Sequence, residues 1–176
     1  TAIAQIMYKH QYPAQGTSSH SYKTNSYKVS LSADFWATTY DWANMPNTIS
    51  SSSPGVEIDA VALISYHCGV SVNMQYDVNG DGSGAHSSDV PAAIRNYFRY
   101  AQSTYESKGN YDTWLSKLKS AIDMRRPVYY SGCSTQFCNN DILRLSNSPN
   151  GVLRALGLLV LNLPSPLRNT AAKKPS

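Results

Sequence analysis

Residues 1–13 read TAIAQIMYKHQYP, and the run begins with the apolar spacing of an amphipathic helix. Ile3, Ile6 and Met7 recur so that they share one helical face. Pro13 cannot continue a helix, and the pattern therefore predicts a helix over residues 1–10. Because this helix starts at Thr1, without a Met or a charged-then-apolar leader, we expect the sequence to begin inside a longer protein.

The same spacing predicts further helices downstream, and period-2 alternation predicts strands. Three helices are predicted, over 57–67, 88–101 and 111–124. Gly69 is the expected stop of the first, and Ser88 or Asp89 is the expected N-cap of the second. The predicted extended segments are short strands or a loop within 17–32, a segment at 70–76, and a strand at 127–131. The aromatic segment 35–42 is expected to dock on the core. Helices come first and a strand opens a sheet after them, which predicts an α+β fold.

Composition bounds the class of protein. Apolar residues make up 41% and charged residues 15% of the 176, which is typical of one globular domain with a lightly charged surface. The net charge of +4 is mild, and no dense Lys/Arg patch is interleaved with aromatics, so nucleic acid is not an expected partner. The most apolar stretch, 152–163, is shorter than the about 20 residues that span a bilayer, so no membrane partner is expected either.

The three cysteines form no closed disulfide framework, because their number is odd. Cys133 and Cys138 could pair in an oxidising compartment, but their spacing does not require it. Together with His67 and Cys68 they do not offer the ligand spacing of a zinc site. Cys68 lies near a predicted helix end and is interpreted as a packing residue.

Six ordered strings of the sequence form a recognisable series. They are TAIAQIM with HQYP at 1–13, the GxxxHSY segment at 16–22, TYDWANMP at 39–46, HCGVSVNMQY at 67–76, GSGA with SSDV at 82–90, and RPVYYSG at 126–132. In this order they resemble one protein family, the streptopain/interpain-type cysteine peptidases of the papain-like clan. Chance is a poor explanation for six collinear matches.

The resemblance implies a papain-like cysteine peptidase fold, seen as its helical part plus the start of an antiparallel sheet and truncated after that. It implies a partial peptidase domain over residues 1–136 and a divergent tail over 137–176. It also implies a secreted bacterial protein, extracellular, periplasmic or on the cell surface. Protein or peptide substrates and an inhibitory propeptide are the partners it suggests.

The resemblance also says where the catalytic pair belongs. By alignment the nucleophilic cysteine lies about three residues before Thr1. The histidine belongs after the strand 127–131, yet no histidine follows His86 and the family pattern is lost near residue 136. A shifted reading frame accounts for that loss; a genuinely divergent tail, helical over 152–161, is the alternative. We therefore assign no catalytic residue within this sequence and interpret its four histidines as structural. We expect the polypeptide as written to have no peptidase activity and to be only marginally stable.

The Gly- and Asp-rich loop after residue 76 supports two interpretations. By the resemblance it borders the substrate cleft, and Ser83 and Gly84 are the candidate substrate-binding residues, offering backbone groups to the peptide. From the residues alone, Asp77, Asn79 and Asp81 fit the first half of a calcium loop. Position 12 of that loop would be Ser88 rather than a bidentate Glu, and the predicted helix ends early, at His67, so no metal or other cofactor is assigned. The alternative to a peptidase is a non-enzymatic calcium- or ligand-binding module derived from a degenerate one.

Overall fold

The computed structural model describes residues 2–76, 83–106, 110–124, 126, 128–134 and 153–162. Helices and antiparallel strands share the chain, which confirms the α+β prediction. In chain order the elements are α1 (Ala2–His10), β1 (Ser19–Lys23), β2 (Ser30–Asp34), α2 (Gly55–Ser71), α3 (Val90–Phe98), β3 (Gln102–Glu106), α4 (Tyr111–Asp123), β4 (Val128–Ser134) and β5 (Leu153–Asn162), with single 3-10 turns at Trp42–Asn44 and Ser87–Asp89.

The described residues fall into two compact units. The first draws on Thr1–Ala85 and Asn96–Arg99, and the second on His86–Arg95 and Tyr100–Ser176. The first holds α1, α2 and the antiparallel β1–β2 hairpin. The second holds α4 and a three-stranded sheet.

Phe35 lies at the centre of the first unit and is fully buried. Its ring centroid lies 4.6 Å from that of Tyr97, 4.8 Å from that of His67 and 5.4 Å from that of Phe98. α1 adds Met7, also fully buried. The docking predicted for segment 35–42 is confirmed for its buried members, which are Phe35, Tyr40 and Trp42.

α2 corrects the prediction at both ends, since it runs from Gly55 to Ser71 rather than from 57 to 67. Gly69 does not stop the helix; it is buried inside it, because the phenol oxygen of Tyr76 occupies the space that a side chain would need. The helix ends instead at Ser71, with Val72 as its C-cap, and Asn73 beyond the cap takes the left-handed φ of 52°. The amides of Asn73 and Met74 then donate to the carbonyls of Val70 (3.2 Å) and Gly69 (3.0 Å), the Schellman arrangement. The predicted extended segment 70–76 is thus wrong over its first residues.

α2 also buries fewer apolar residues than its sequence indicates. Ile64 is 3% exposed, but Ile58 and Tyr66 are 39% and 37% exposed and Ala62 is exposed as well. The helix is apolar on every side, so periodicity could not say which face turns inward. The tertiary contacts decide: the Tyr66 hydroxyl donates to the Ser32 carbonyl of β2 (2.9 Å), and the His67 ring packs against Phe35 (4.8 Å between centroids).

α3 ends three residues earlier than the predicted Ala101. Arg99 follows it with a φ of 58°, a conformation uncommon for residues other than glycine but held here by hydrogen bonds. Its Nε donates to the carbonyls of Gln15 (2.8 Å) and Gly16 (3.1 Å), and its own carbonyl accepts from the Tyr12 hydroxyl (2.6 Å). The chain then continues as β3, a strand that the sequence analysis missed.

The sheet of the second unit has the order β3-β5-β4, antiparallel throughout. The helix considered for residues 152–161 is therefore wrong: residues 153–162 form the central strand. An unbroken apolar run does not distinguish a strand from a helix by its period. β5 pairs with β3 on one side and β4 on the other, so the sheet is not cut after one or two strands, and the physical reason given for marginal stability is removed.

α4 confirms its prediction within one residue. Asn110 caps it, its side-chain oxygen accepting from the amides of Asp112 (3.0 Å) and Thr113 (3.1 Å). Trp114 is buried, and Leu115, Leu118 and Val128 pack against it. Ile122, predicted to share that apolar face, is 59% exposed.

Candidate substrate-binding segment and its supports

Ser83 and Gly84, the predicted substrate-binding residues, lie just beyond the acidic loop, Ser83 exposed and Gly84 half-buried. Gly84 forms an antiparallel bridge with Gln75: its amide donates to the Gln75 carbonyl (3.0 Å), and the Gln75 amide donates to the Gly84 carbonyl (2.8 Å). The candidate calcium ligands Asp77, Asn79 and Asp81 lie outside the described residues.

The bridge leaves Gly84 with fewer free backbone groups to bond a bound peptide. Its amide is already used by Gln75, whereas its carbonyl keeps a second lone pair. A side chain built at Gly84 would meet no atom within 4 Å, so the space beside its Cα is open. Substrate contact at Gly84 stays a prediction, restricted to this carbonyl and to the open space.

Gln75 anchors this segment with its side chain as well. Its Oε1 accepts from the Asn25 amide (2.7 Å), in the turn between β1 and β2, and its Nε2 donates to the Asn73 carbonyl (2.9 Å). Gln75 therefore joins three segments, namely the hairpin turn, the end of α2 and the bridge to Gly84. Nothing in the sequence pattern singles it out, because a glutamine after a helix is ordinary.

The inward-facing side chains of β1 contact the residues that directly follow α2. His20 Nε2 lies 2.7 Å from Asn73 Oδ1, and the Tyr22 hydroxyl donates to the Met74 carbonyl (2.5 Å). Burial, with smaller contributions from Tyr76 and Tyr66, raises the pKa of Tyr22 to about 12, so this phenol stays a donor at physiological pH. The candidate binding segment thus rests on the hairpin through the side chains of His20, Tyr22 and Gln75.

The structural interpretation of the histidines is supported most directly at His67. It is 4% exposed, and its Nδ1 lies 3.0 Å from the Tyr40 hydroxyl. Burial lowers the pKa of His67 below its usual 6.5, so the ring is neutral at pH 7. Burial, reinforced by Lys9, also lowers the pKa of His10.

Cys68 has the properties of a packing residue. The residue as a whole is half-buried, but burial of its sulfur raises the pKa of the thiol to about 12. A thiol with so high a pKa supplies almost no thiolate at neutral pH, which agrees with the interpretation of Cys68 as a packing residue.

The described part of the chain holds neither a cluster of metal-ligating side chains nor a membrane-spanning helix. No three His, Cys, Asp or Glu side chains there are placed to hold a metal ion. No helix there is long and apolar enough to cross a bilayer.

The chain matches the Peptidase C10 family over residues 1–142. It is 30% identical to streptopain of Streptococcus pyogenes serotype M1 over 141 residues, which cover 75% of this chain and 35% of streptopain. The chain therefore spans about a third of the length of the curated relatives it matches.

Two solved structures from Prevotella intermedia have a similar fold. Active interpain A, a cysteine protease, is 32% identical with a TM-score of 0.70, over 88% of this chain and 61% of that one. A prointerpain A fragment is 34% identical with a TM-score of 0.67, over 74% and 43%. These matches confirm the papain-like α+β fold and the resemblance seen in the sequence, and the chain belongs to the Peptidase C10 family.

Proposed function

We propose that this chain is part of a cysteine endopeptidase that hydrolyses protein substrates through a thioester intermediate. The observation that carries the proposal is the family match over residues 1–142, which spans α1 to β4 and includes the Gln75–Gly84 bridge.

The chemistry requires a thiolate, a histidine base and donors for an oxyanion. A thiolate is stabilised at a helix N-terminus, and the N-terminal end of α1 is the place that the family resemblance gives the nucleophile. The buried side chains of Ala4 and Met7 fix α1 in the core and so fix that end. The Gln75–Gly84 bridge would hold one wall of the cleft, along which the substrate backbone lies.

Substrates, partners and location follow from the same proposal. The substrates are proteins or peptides, and the protein is secreted by a bacterium. The existence of a pro-form of interpain A supports an inhibitory propeptide as a partner. No cofactor is part of the proposal, and calorimetric titration of calcium into the chain should detect no binding at the Asp77–Asp81 loop.

The test compares two polypeptides expressed from the same gene. The first is the chain 1–176 as written; the second adds the residues encoded upstream of Thr1 and continues after residue 136 in the reading frame that encodes the histidine segment. Both are assayed on casein with and without a thiol alkylator. We expect no cleavage by the first and alkylator-sensitive cleavage by the second, and the absence of such a frame would contradict the proposal. Cleavage that resists the alkylator, or upstream codons without a cysteine, would contradict the proposal.

A further inference from the structure

Every polar group of Gln75 takes part in a hydrogen bond. Its amide and carbonyl exchange bonds of 2.8 and 3.0 Å with Gly84, while Oε1 accepts from the Asn25 amide (2.7 Å). Nε2 donates to the Asn73 carbonyl (2.9 Å). A glutamine side chain in solution samples many rotamers, and bonds at both ends of its amide group hold this one in a single conformation. The half-buried Gln75 is therefore held through its backbone and its side chain together.

The Gln75–Gly84 bridge stands apart from the two sheets that the structure describes. Within a sheet, each hydrogen-bonded pair is followed by further pairs along the ladder, and these keep it in place. This bridge consists of one pair, so its position depends on contacts that reach Gln75 from outside the bridge. The side chain of Gln75 supplies such contacts.

The hairpin turn that bonds to Gln75 is itself closed. Thr24, which directly follows β1, is 3% exposed. Its amide donates to the Val29 carbonyl (2.9 Å), and its Oγ1 accepts from the Val29 amide (3.0 Å). The paired residues of β1 and β2 continue from this closure. The Asn25 amide therefore lies in a turn whose two ends are held together, and Gln75 is bonded to a well-anchored part of the first unit.

Two other side chains of the hairpin bond to residues that precede the bridge. The Tyr22 hydroxyl donates to the Met74 carbonyl, and His20 Nε2 lies 2.7 Å from an oxygen of the residue before Met74. Gln75 differs from both, because the residue that bonds to the hairpin turn is also the residue whose backbone bonds to Gly84. A displacement of the Gln75 side chain is therefore passed to Gly84 without an intermediate residue.

We propose that Gln75 is a positioning residue for peptide substrates, and that its side-chain amide determines where the Gly84 carbonyl lies. The inference rests on the proposed function and on substrate contact at Gly84. That carbonyl keeps a second lone pair, and the space beside the Gly84 Cα is open. A hydrogen bond weakens steeply when donor and acceptor are misaligned, so a substrate amide binds well only while the carbonyl keeps its direction. Gln75 acts through Gly84 and does not contact the substrate.

The kinetic test uses the polypeptide with the upstream residues and the histidine segment, and a fluorogenic peptide as substrate. Gln75→Ala removes both side-chain bonds and leaves the backbone bridge. We expect KM to rise about threefold to tenfold, the effect of losing one ordinary hydrogen bond, with kcat changed by less than about twofold. A contact that is equally strong in the bound substrate and in the transition state contributes to binding alone, so kcat is spared. Gln75→Glu keeps an acceptor for the Asn25 amide, and its KM should lie between those of Gln75→Ala and the unmodified protein.

A second measurement needs no catalysis and uses the chain 1–176. The bond to the Gln75 carbonyl protects the Gly84 amide from hydrogen exchange. Exchange of this amide, followed by NMR, should be about threefold to tenfold faster in Gln75→Ala, because the bridge loses its attachment to the hairpin turn. The Asn25 amide should also exchange faster, since it loses its acceptor. Circular dichroism and the melting temperature of each variant show whether the fold persists.

Gln15→Ala is the matched control. Gln15 also lies in an antiparallel bridge outside the sheets, with Thr39, and its Nε2 donates to the Trp36 carbonyl (2.5 Å). Its replacement should change neither KM nor the exchange of the Gly84 amide. The proposal is overturned if Gln75→Ala keeps the KM of the unmodified protein, if Gly84 exchange stays the same, or if Gln15→Ala raises KM equally. Absence of cleavage by the unmodified polypeptide would contradict the proposed function instead, and the Gly84 exchange rates would still decide whether Gln75 holds the bridge.

Discussion

Replacing Gly69 by alanine tests the close contact that ties α2 to the candidate binding segment. The added Cβ would overlap the Tyr76 hydroxyl, and it would lie 3.0 Å from Tyr76 Cζ and 3.7 Å from Met74 Cβ. The Tyr76 ring must therefore move, and overpacking of this kind costs about 1–3 kcal/mol. The gain in helix propensity offsets up to about 1 kcal/mol of that loss. We expect a net loss of about 0–3 kcal/mol in the free energy of unfolding.

Gly55→Ala in the same helix is the matched control, because a Cβ there meets no atom within 4 Å. It should stabilise the protein by up to about 1 kcal/mol through helix propensity alone. The difference between the two variants isolates the overpacking term of about 1–3 kcal/mol, or about 2–12 °C in melting temperature for a chain of this size.

Making Gly69→Ala in a Tyr76→Phe protein tests the same contact more directly. Tyr76→Phe removes the overlapping oxygen but keeps the ring, so the penalty of Gly69→Ala should shrink when the two changes are combined. Urea unfolding followed by circular dichroism measures the single and double variants as a double-mutant cycle. If Gly69→Ala is as stable as Gly55→Ala and shows no coupling to Tyr76→Phe, the contact does not explain the glycine.

Three further outcomes are expected. Because burial lowers the pKa of His67 in the folded state, the unfolded state takes up the proton first, and the free energy of unfolding should decline as the pH falls below about 6.5. This decline should be weaker in His67→Phe, and an equal slope in the variant and the unmodified chain would contradict the assignment. Because the pKa of its thiol is raised to about 12, Cys68 should not react with iodoacetamide at pH 8 until urea unfolds the chain. Mass spectrometry of the peptide that contains Cys68 measures the labelling, and rapid labelling of the folded chain would contradict the prediction. Asn110→Ala should cost about 1 kcal/mol through loss of the α4 cap, whereas no shift in the urea midpoint would mean that the cap is dispensable.

Local sequence patterns were sufficient to predict an element and its bounds where one of its faces is clearly apolar. α1 and α4 appear within one residue of their predicted bounds, since Met7 and Trp114 belong to stripes at helical spacing. The β1–β2 hairpin was less certain, and prediction went no further than short strands or a loop. β3 was missed altogether, because only pairing with a distant strand makes residues 102–106 extended.

The candidate site was predicted less completely. The resemblance pointed to Ser83 and Gly84, but the residues that hold them come from separate parts of the chain. Gln75 reaches the Asn25 amide, and Tyr22 reaches the Met74 carbonyl. A hydrogen bond between residues about 50 positions apart leaves no periodic signal in one sequence.

The sequence by itself determined the family, the α+β class and the order of the major helices, because ordered motifs and amphipathic spacing are local properties of the chain. The tertiary structure decided the end of α2, the role of Gly69 and the central strand β5. Gly69 meets the helix-stop pattern but is needed for the approach of Tyr76, and the apolar run 153–162 becomes a strand because β3 and β4 supply its hydrogen-bond partners. The helix that opens the chain needed only its own residues to be predicted, whereas these features depend on partners that the chain meets after folding.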